Sequence, residues 1–213
     1  MYLPAHFAES RPEVLGAFIA AHPLGLLVTQ NRAGGIEANS VPFILDRSGD
    51  AGPGVLRAHV ARANPLWSSV PDDVDSLVVF QGPHGYVSPA WYPSKAEHGK
   101  VVPTWNYVMV QARGRLRAIE DKAWLRDFVG RLTDRHEAGR PTPWAIGDAP
   151  ADFIETMLGA IVGIEIALTS LVGKWKVSQN RGADDRAGVV DGLVREGGDA
   201  ALAAEVRAPG AGA

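Results

Sequence analysis

The chain has 213 residues, 46% of them apolar, with 21 Lys and Arg against 24 Asp and Glu for a formal charge of −3. That length suits one domain or one domain with a small appendage, and it can bury roughly 70% of its unfolded surface in a core. The charge argues against a general basic face for nucleic acid, although a local patch survives the average, and the absence of cysteine excludes disulfide scaffolds, thiol nucleophiles and cysteine-ligated metal or iron–sulfur centres.

In chain order, Met1-Tyr2-Leu3-Pro4-Ala5-His6-Phe7 carries no basic region followed by an apolar run, so no targeting segment is expected. Glu13 to Ala21 reads as a helix, with Ser10 as N-cap, Glu13 completing a capping box and Pro12 in the first turn. Leu24 to Gln30 and Ile36 to Asp46 read as a hairpin of two strands around the turn Asn31 to Gly35, with Val41, Phe43 and Leu45 on one face. A turn over Gly49 to Gly54 leads to a strand over Val55 to His59 and a helix over Ala61 to Ser69. Ser76 to Gln81 is a β-rich strand, and Gly82 to Val102 reads as a long ordered loop, a kind of segment that is usually functional.

Trp105 to Ile119 is the clearest long strand. Val108, Val110, Ala112, Leu116 and Ala118 alternate with Gln111, Arg113, Arg115 and Arg117, and Gly114 suggests a bulge. Lys122 to Glu137 is a helix with Trp124, Phe128, Val129 and Leu132 at helical spacing; Ala151 to Leu158 is another. The apolar run from Met157 to Val172 is interrupted by Glu165 and is shorter than the roughly 20 residues of a membrane span. It reads instead as a helix end and a buried strand over Ile161 to Leu171, continued by Trp175 to Val177 after Gly173. From Asp184 the pattern turns helical, with Val189, Val190, Leu193 and Val194 as a stripe, and Ala208 to Ala213 are expected to fray. Six or seven strands with intervening helices predict a mainly β, α+β fold: a closed or partly closed barrel with peripheral helices. The protein is expected to be cytoplasmic, with no membrane partner.

Catalytic motifs with a nucleophile, a zinc-binding helix or a phosphate loop are missing, and no His pair has helical metal-ligand spacing. Four clusters remain. His59 and Arg62 sit at a strand-to-helix junction, where free N–H groups and a guanidinium suit a phosphate; a packed His and a surface Arg would explain them equally well. Phe80 to Tyr92 is rich in aromatics, as either a planar ligand or ordinary packing requires. Val102 to Tyr107 offers Thr104, Trp105 and Asn106 to a ring edge or to a dimer contact. Lys174 to Arg181 is locally basic, as an anion site or a solvated strand end.

Taken in order, these segments resemble the PaiB family of FMN-binding negative transcriptional regulators. The motifs are Met1-Tyr2-x-Pro4-x-His6-Phe7, His59-x-Ala61-Arg62-Ala63-Asn64-Pro65-x-Trp67, Phe80-x-Gly82-Pro83, Tyr86-x-Ser88-Pro89-x-Trp91-Tyr92, Val102 to Tyr107 and Lys176-x-Ser178-Gln179-Asn180-Arg181. Val87 and Ala90 stand where the family pattern has Ile and Ser. The resemblance implies a split β-barrel related to pyridoxamine-phosphate-oxidase-like flavoproteins over residues 1–195, with 196–213 a helical or frayed tail. It implies a homodimer that holds FMN at the subunit interface. Asn39, Ser40, Val41 and Pro42 would run along the flavin ring edge. His59 and Arg62 would hold the phosphate, with Asn64 nearby and Ala61 also among the cofactor-binding residues, and Gln81 and Gly82 would border the ring or ribityl chain. Lys95, Thr104, Trp105 and Asn106 would approach from the loop or the partner subunit, and Ser178, Gln179 and Arg181 would close the site.

Three functions are open at this point. One is a flavin-binding regulator without turnover. Direct DNA contact, through Arg113, Arg115 and Arg117 or through Lys174, Lys176 and Arg181, has against it the negative charge and the missing helix-turn-helix pattern. The second is an FMN-dependent oxidoreductase, which needs no side-chain nucleophile because the cofactor supplies the chemistry. The third is a barrel that takes another phosphorylated or planar ligand.

Overall fold

The structure, a computed structural model, describes residues 1–47 and 52–210. The front of the expected Gly49–Gly54 turn and the end of the expected frayed tail lie outside the described residues. The elements run β1 (Ala8–Glu9), α1 (Pro12–Ala21), β2 (Leu24–Gln30), β3 (Ile36–Pro42), β4 (Ile44–Asp46), β5 (Val55–Ala61), α2 (Leu66–Ser69), β6 (Asp75–Val87), α3 (Ser94–His98), β7 (Thr104–Ile119), α4 (Lys122–Glu137), α5 (Ala151–Gly159), β8 (Ile161–Lys176), α6 (Ala183–Arg195) and α7 (Ala200–Arg207). No helix among the described residues is long and apolar enough to cross a membrane.

Several expectations are corrected. The N-cap of α1 is Arg11, not Ser10, and no side chain caps the helix; the Glu9 carboxylate accepts the Arg11 N–H at 2.8 Å, and Pro12 has no N–H to satisfy. The expected strand over Ile36 to Asp46 is two strands. Phe43 between them donates its N–H to the Pro23 carbonyl, and β4 pairs with β5, Ile44 opposite Arg57. This break turns Ile44, rather than Leu45, into the core beside Val41 and Phe43. The expected helix over Ala61 to Ser69 is only α2, because Pro65 lacks an N–H and the Asn64 side chain accepts that of Leu66 at 3.0 Å. The expected long loop is shorter, since β6 continues through Val87. β8 is one strand across Gly173, and Val194 is exposed.

The chain forms two compact units, Met1–His22 with Phe80–Gln111 and Leu171–Ala213, and Pro23–Val79 with Ala112–Ser170. In the first, Phe18, Phe80, Val110, Trp175 and Leu202 are buried. β1 pairs antiparallel with β8, Ala8 opposite Lys174. The buried Glu205 of α7 accepts the Trp175 indole N–H at 2.8 Å and the Gly210 N–H at 2.9 Å, so the chain is tied down through Gly210. The Trp91 ring lies where a β-carbon on Gly192 would be, and its N–H reaches Glu196 at 2.9 Å.

In the second unit the strands are ordered β3-β2-β6-β7-β8-β5-β4. Pairing is antiparallel where the register is defined, with Leu26 opposite both Ser40 and Val79, and Leu56 opposite Ile166. The period-2 pattern puts Leu27, Leu56, Ala58, Val78, Ile164 and Ile166 inside. α4 and α5 cover part of this sheet through a cluster of Leu125, Ile154 and Leu158 with Trp124 packed against it. Glu165 anchors the covered face: it accepts Arg57 Nε at 2.8 Å, the Trp124 indole N–H at 3.3 Å and an N–H of Arg117. Arg57 also pairs with Asp46, which accepts Arg131 at 2.5 Å.

Gly114 makes a close backbone approach inside a continuous strand, not a break: a β-carbon there would overlap the Ala167 carbonyl oxygen. Gly114→Ala should therefore lower stability by about 1–3 kcal/mol. Gly130→Ala in α4, where nothing lies within 4 Å, should be neutral or stabilising by up to about 1 kcal/mol; urea unfolding midpoints test the contrast. Burial would raise the Glu165 carboxyl, but the Arg117 and Arg57 hydrogen bonds outweigh it and hold it below its ordinary value. A carboxyl depressed in the fold contributes stability that is complete above its unfolded pKa and is lost as pH falls through the folded one. Glu165→Gln should cost about 1–3 kcal/mol at neutral pH, and the gap to wild type should shrink in acid; denaturant curves across pH measure it.

Candidate functional site

β3 lies at the end of the strand order in the second unit, with β2 as its sheet neighbour. Among the described residues, its other edge leaves backbone N–H and C=O groups without a strand partner. Pro42 ends the strand at that edge, where a residue with no N–H is tolerated. Residues 39–42 of this edge, residues 59–61 at the end of β5, Asn64 and Ile161 line a cleft of about 370 Å³.

Polar groups in the cleft are few and held in place. Asn64 donates to the Asn39 side-chain oxygen at 3.0 Å, fastening the turn after β5 to β3. His59 packs edge-on against Phe128, ring centroids 5.9 Å apart. Its Nδ1 is buried and makes no hydrogen bond among the described residues. Burial lowers its pKa, so at neutral pH it acts as a neutral imidazole that offers a hydrogen bond and not a charge. A buried polar atom without a partner is uncommon in a folded protein and marks a place where a ligand can supply one.

Arg62, expected at a phosphate, does not line this cleft. Its guanidinium donates to the Gly159 carbonyl at 3.0 Å, the Ile161 carbonyl at 3.3 Å and Glu120 at 2.6 Å, and lies 5.8 Å from the centre of the Trp67 ring. Two of its N–H groups are therefore used in holding the start of β8, and with it Ile161, beside the cleft, and a third is spent on Glu120. The remaining expected residue of this segment, Ala61, is in the lining with Asn39, Ser40, Val41 and Pro42.

The first unit brings together a second set. Buried Asn106 donates to the Ser178 hydroxyl at 2.9 Å, and Ser178 has a left-handed backbone, φ 68°. Thr104 accepts from Lys176. The Gln179 amide is spent on local backbone: its oxygen takes the Val177 N–H at 2.8 Å and its nitrogen donates to the Trp175 carbonyl. Trp105 is half exposed and stacks near His84, to which its indole N–H donates at 3.3 Å. Arg181 lies 4.8 Å from the centre of the Tyr92 ring and lines a separate cleft of about 480 Å³. Gln81 and Lys95 are exposed, and Gly82 gives space to the Phe18 ring.

Sequence reading passed over Val60, Ile161 and His84. Ile161 is distant in sequence from the rest of the cleft, and only the β5–β8 pairing, Ala61 opposite Ile161, brings it there. His84 lay in a segment read as loop, and its alternation with Tyr86 was the available signal. Burial lowers the Lys176 pKa, and Lys174 and Arg181 nearby lower it further. Among the described residues no group of three or more His, Asp or Glu side chains could hold a metal ion.

Residues 1–170 match a family model described as "Putative FMN-binding domain". The chain is 35% identical to an uncharacterized protein of Aspergillus fumigatus, over 92% of each chain. It is 30% identical to the protease synthase and sporulation protein PAI 2 of Bacillus subtilis, over 92% of this chain and 90% of that one. Among solved structures it is similar to the flavocytochrome Anf3 of Azotobacter vinelandii, with TM-score 0.57, 20% identity, 85% of this chain and 75% of that chain covered. A FAD and heme binding protein of Mycobacterium smegmatis has TM-score 0.57 and 20% identity, with 84% and 77% covered. These structural likenesses show the fold, which is mainly β with peripheral helices and of the split-barrel type. The match over residues 1–170 together with the Bacillus relative places the chain in the FMN-binding, PaiB-type family that its ordered motifs resemble.

Proposed function

We propose that the chain is an FMN-binding protein that holds its flavin along the free edge of β3, in a site completed by a second copy of the chain. The carrying observation is the cleft itself: a strand edge at residues 39–42 with no strand partner among the described residues, lining one cleft with His59, whose buried Nδ1 makes no hydrogen bond among them, in a chain of an FMN-binding family. A planar heterocycle needs donors and acceptors along one edge and few charges, and a strand edge with one neutral imidazole and one amide supplies that. When bound, FMN supplies the redox chemistry. His59, Asn64 and the β3 backbone bind and orient it, and Arg62 positions the wall that Ile161 contributes.

Two features support a second copy. A cleft of about 370 Å³ is near the small end for ligand sites. The outward face of the β2–β3 hairpin is also apolar and open: Leu24, Leu26 and Ile36 are 62%, 42% and 78% exposed. In the pairing Leu24 lies opposite Pro42 and Leu26 opposite Ser40, so this face runs into the cleft through β3. A two-fold contact there would cover both.

The family resemblance supports a regulatory role, which we place in the cytoplasm. Direct DNA contact gains little support from the basic patches. Arg117 is bound to Glu165, Lys174 is buried with its ammonium on the Tyr2 carbonyl at 3.0 Å, and Lys176 is held by Thr104 and Trp105. The oxidoreductase reading is separated from the regulator by whether NAD(P)H bleaches the bound flavin.

Two measurements test the site. His59→Leu removes a buried polar atom that lacks a partner, so it should leave the apo-protein as stable or more so. It should also weaken FMN binding by roughly 1–1.5 kcal/mol, read by quenching of flavin fluorescence; unchanged affinity would remove His59 from the site. In solution the 22.6 kDa chain should run as a dimer, and the double substitution Leu26→Glu with Ile36→Lys should yield a folded monomer with weakened FMN binding. A wild-type monomer that binds FMN at full affinity would refute the shared site.

A further inference from the structure

A larger cleft, of about 710 Å³, lies in the second unit and shares no lining residue with the β3 cleft. Its lining combines apolar Trp67, Val70 and Leu116 with Arg32, Arg115 and Arg117. Four consecutive residues of β7, 115–118, line it, so both faces of that strand contribute.

The charges are unevenly committed. Glu165 in the lining is fully occupied by Arg57, Arg117 and Trp124. Arg115 has only a 3.9 Å approach to Asp75 and a long 3.5 Å contact with the Asp72 carbonyl. Arg32, at the turn after β2, uses its backbone N–H on the Ser69 carbonyl, and among the described residues its guanidinium has no hydrogen bond or ion pair. Two arginines with spare N–H groups thus line a cleft that also has aromatic and aliphatic surface. Asp72, also in the lining, offers an acceptor.

We propose that this cleft is a second ligand site, one for a nucleoside monophosphate. The base lies against Trp67 and the aliphatic wall, where a planar ring replaces water on apolar surface. The phosphate is held by Arg32 and Arg115, whose planar forks match its oxygens. Asp72 accepts a hydrogen bond from the sugar hydroxyls or the base amino group. A concave cleft that joins apolar surface to arginines favours a small ligand over a nucleic-acid backbone, which would need an exposed basic strip and no apolar pocket. The inference is independent of the flavin site: no residue is shared, so AMP should bind with or without FMN present.

The test is calorimetric titration of the full chain with AMP, with adenosine and inorganic phosphate as separate arms, each with and without excess FMN. Saturable AMP binding stronger than in either partial arm, and undisturbed by FMN, is expected. Arg32→Ala and Arg115→Ala should each weaken it about tenfold, the loss of a charge-assisted hydrogen bond, while FMN affinity and the near-UV circular dichroism stay as in wild type. Arg32→Gln serves as a second variant at the turn should Arg32→Ala alter that spectrum. The proposal is overturned by any of four results: no saturable AMP binding, unchanged AMP binding in the arginine variants, displacement of AMP by FMN, or phosphate binding as tightly as AMP. Loss of duplex DNA binding in the variants without any AMP binding would assign the arginines to a polynucleotide instead.

Discussion

Pro42 has no N–H to give, and Phe43 gives its own to the Pro23 carbonyl rather than to a strand. That local constraint stops β3 and sends the chain across to pair with β5 as β4. The rest of the second unit follows from it. β3 stays at the sheet edge with backbone groups to spare, Phe43 and Ile44 fill the core, and the end of β4 delivers Asp46 to Arg131 and to Arg57, which also grips Glu165. One unpaired edge therefore gives both the polar rim of a cleft and a boundary of an apolar face.

The residues around that edge divide into those that can meet a ligand and those that hold the first kind still. His59 keeps a buried nitrogen unpartnered, a cost the fold tolerates. Arg62 shows the opposite economy, with its guanidinium shared between two carbonyls and Glu120. In the first unit Gln179 is likewise occupied by nearby backbone, and Asn106 by the Ser178 hydroxyl. A conspicuous polar residue in a motif is thus as often the frame as the contact.

Much of the fold was legible from periodicity. The bounds of β2 and α4 follow from their patterns because each buries one face against a single core. The misreadings have specific causes. The Ile36–Asp46 run alternates well enough for one strand, and only the competing acceptor at Pro23 breaks it. Gly82, Pro83 and Gly85 read as loop, yet β6 continues through them, with Gly82 making room for Phe18. Gly114 looked like a bulge because a missing side chain in a strand has two explanations, and the close Ala167 carbonyl selects the other one.

The sequence by itself determined the element types, the thiol-free character of any site, and membership of a family through six ordered motifs, since these depend on residue chemistry and short-range spacing. Tertiary structure decided which polar groups remain free. Whether Arg62 faces a ligand or a carbonyl depends on where residues 159–161 pass, nearly a hundred positions away in the chain. That Arg32 and Arg115 share a cleft depends on where the turn after β2 and the strand β7 come to lie. Partners of that kind are set by long-range packing, which no local pattern encodes.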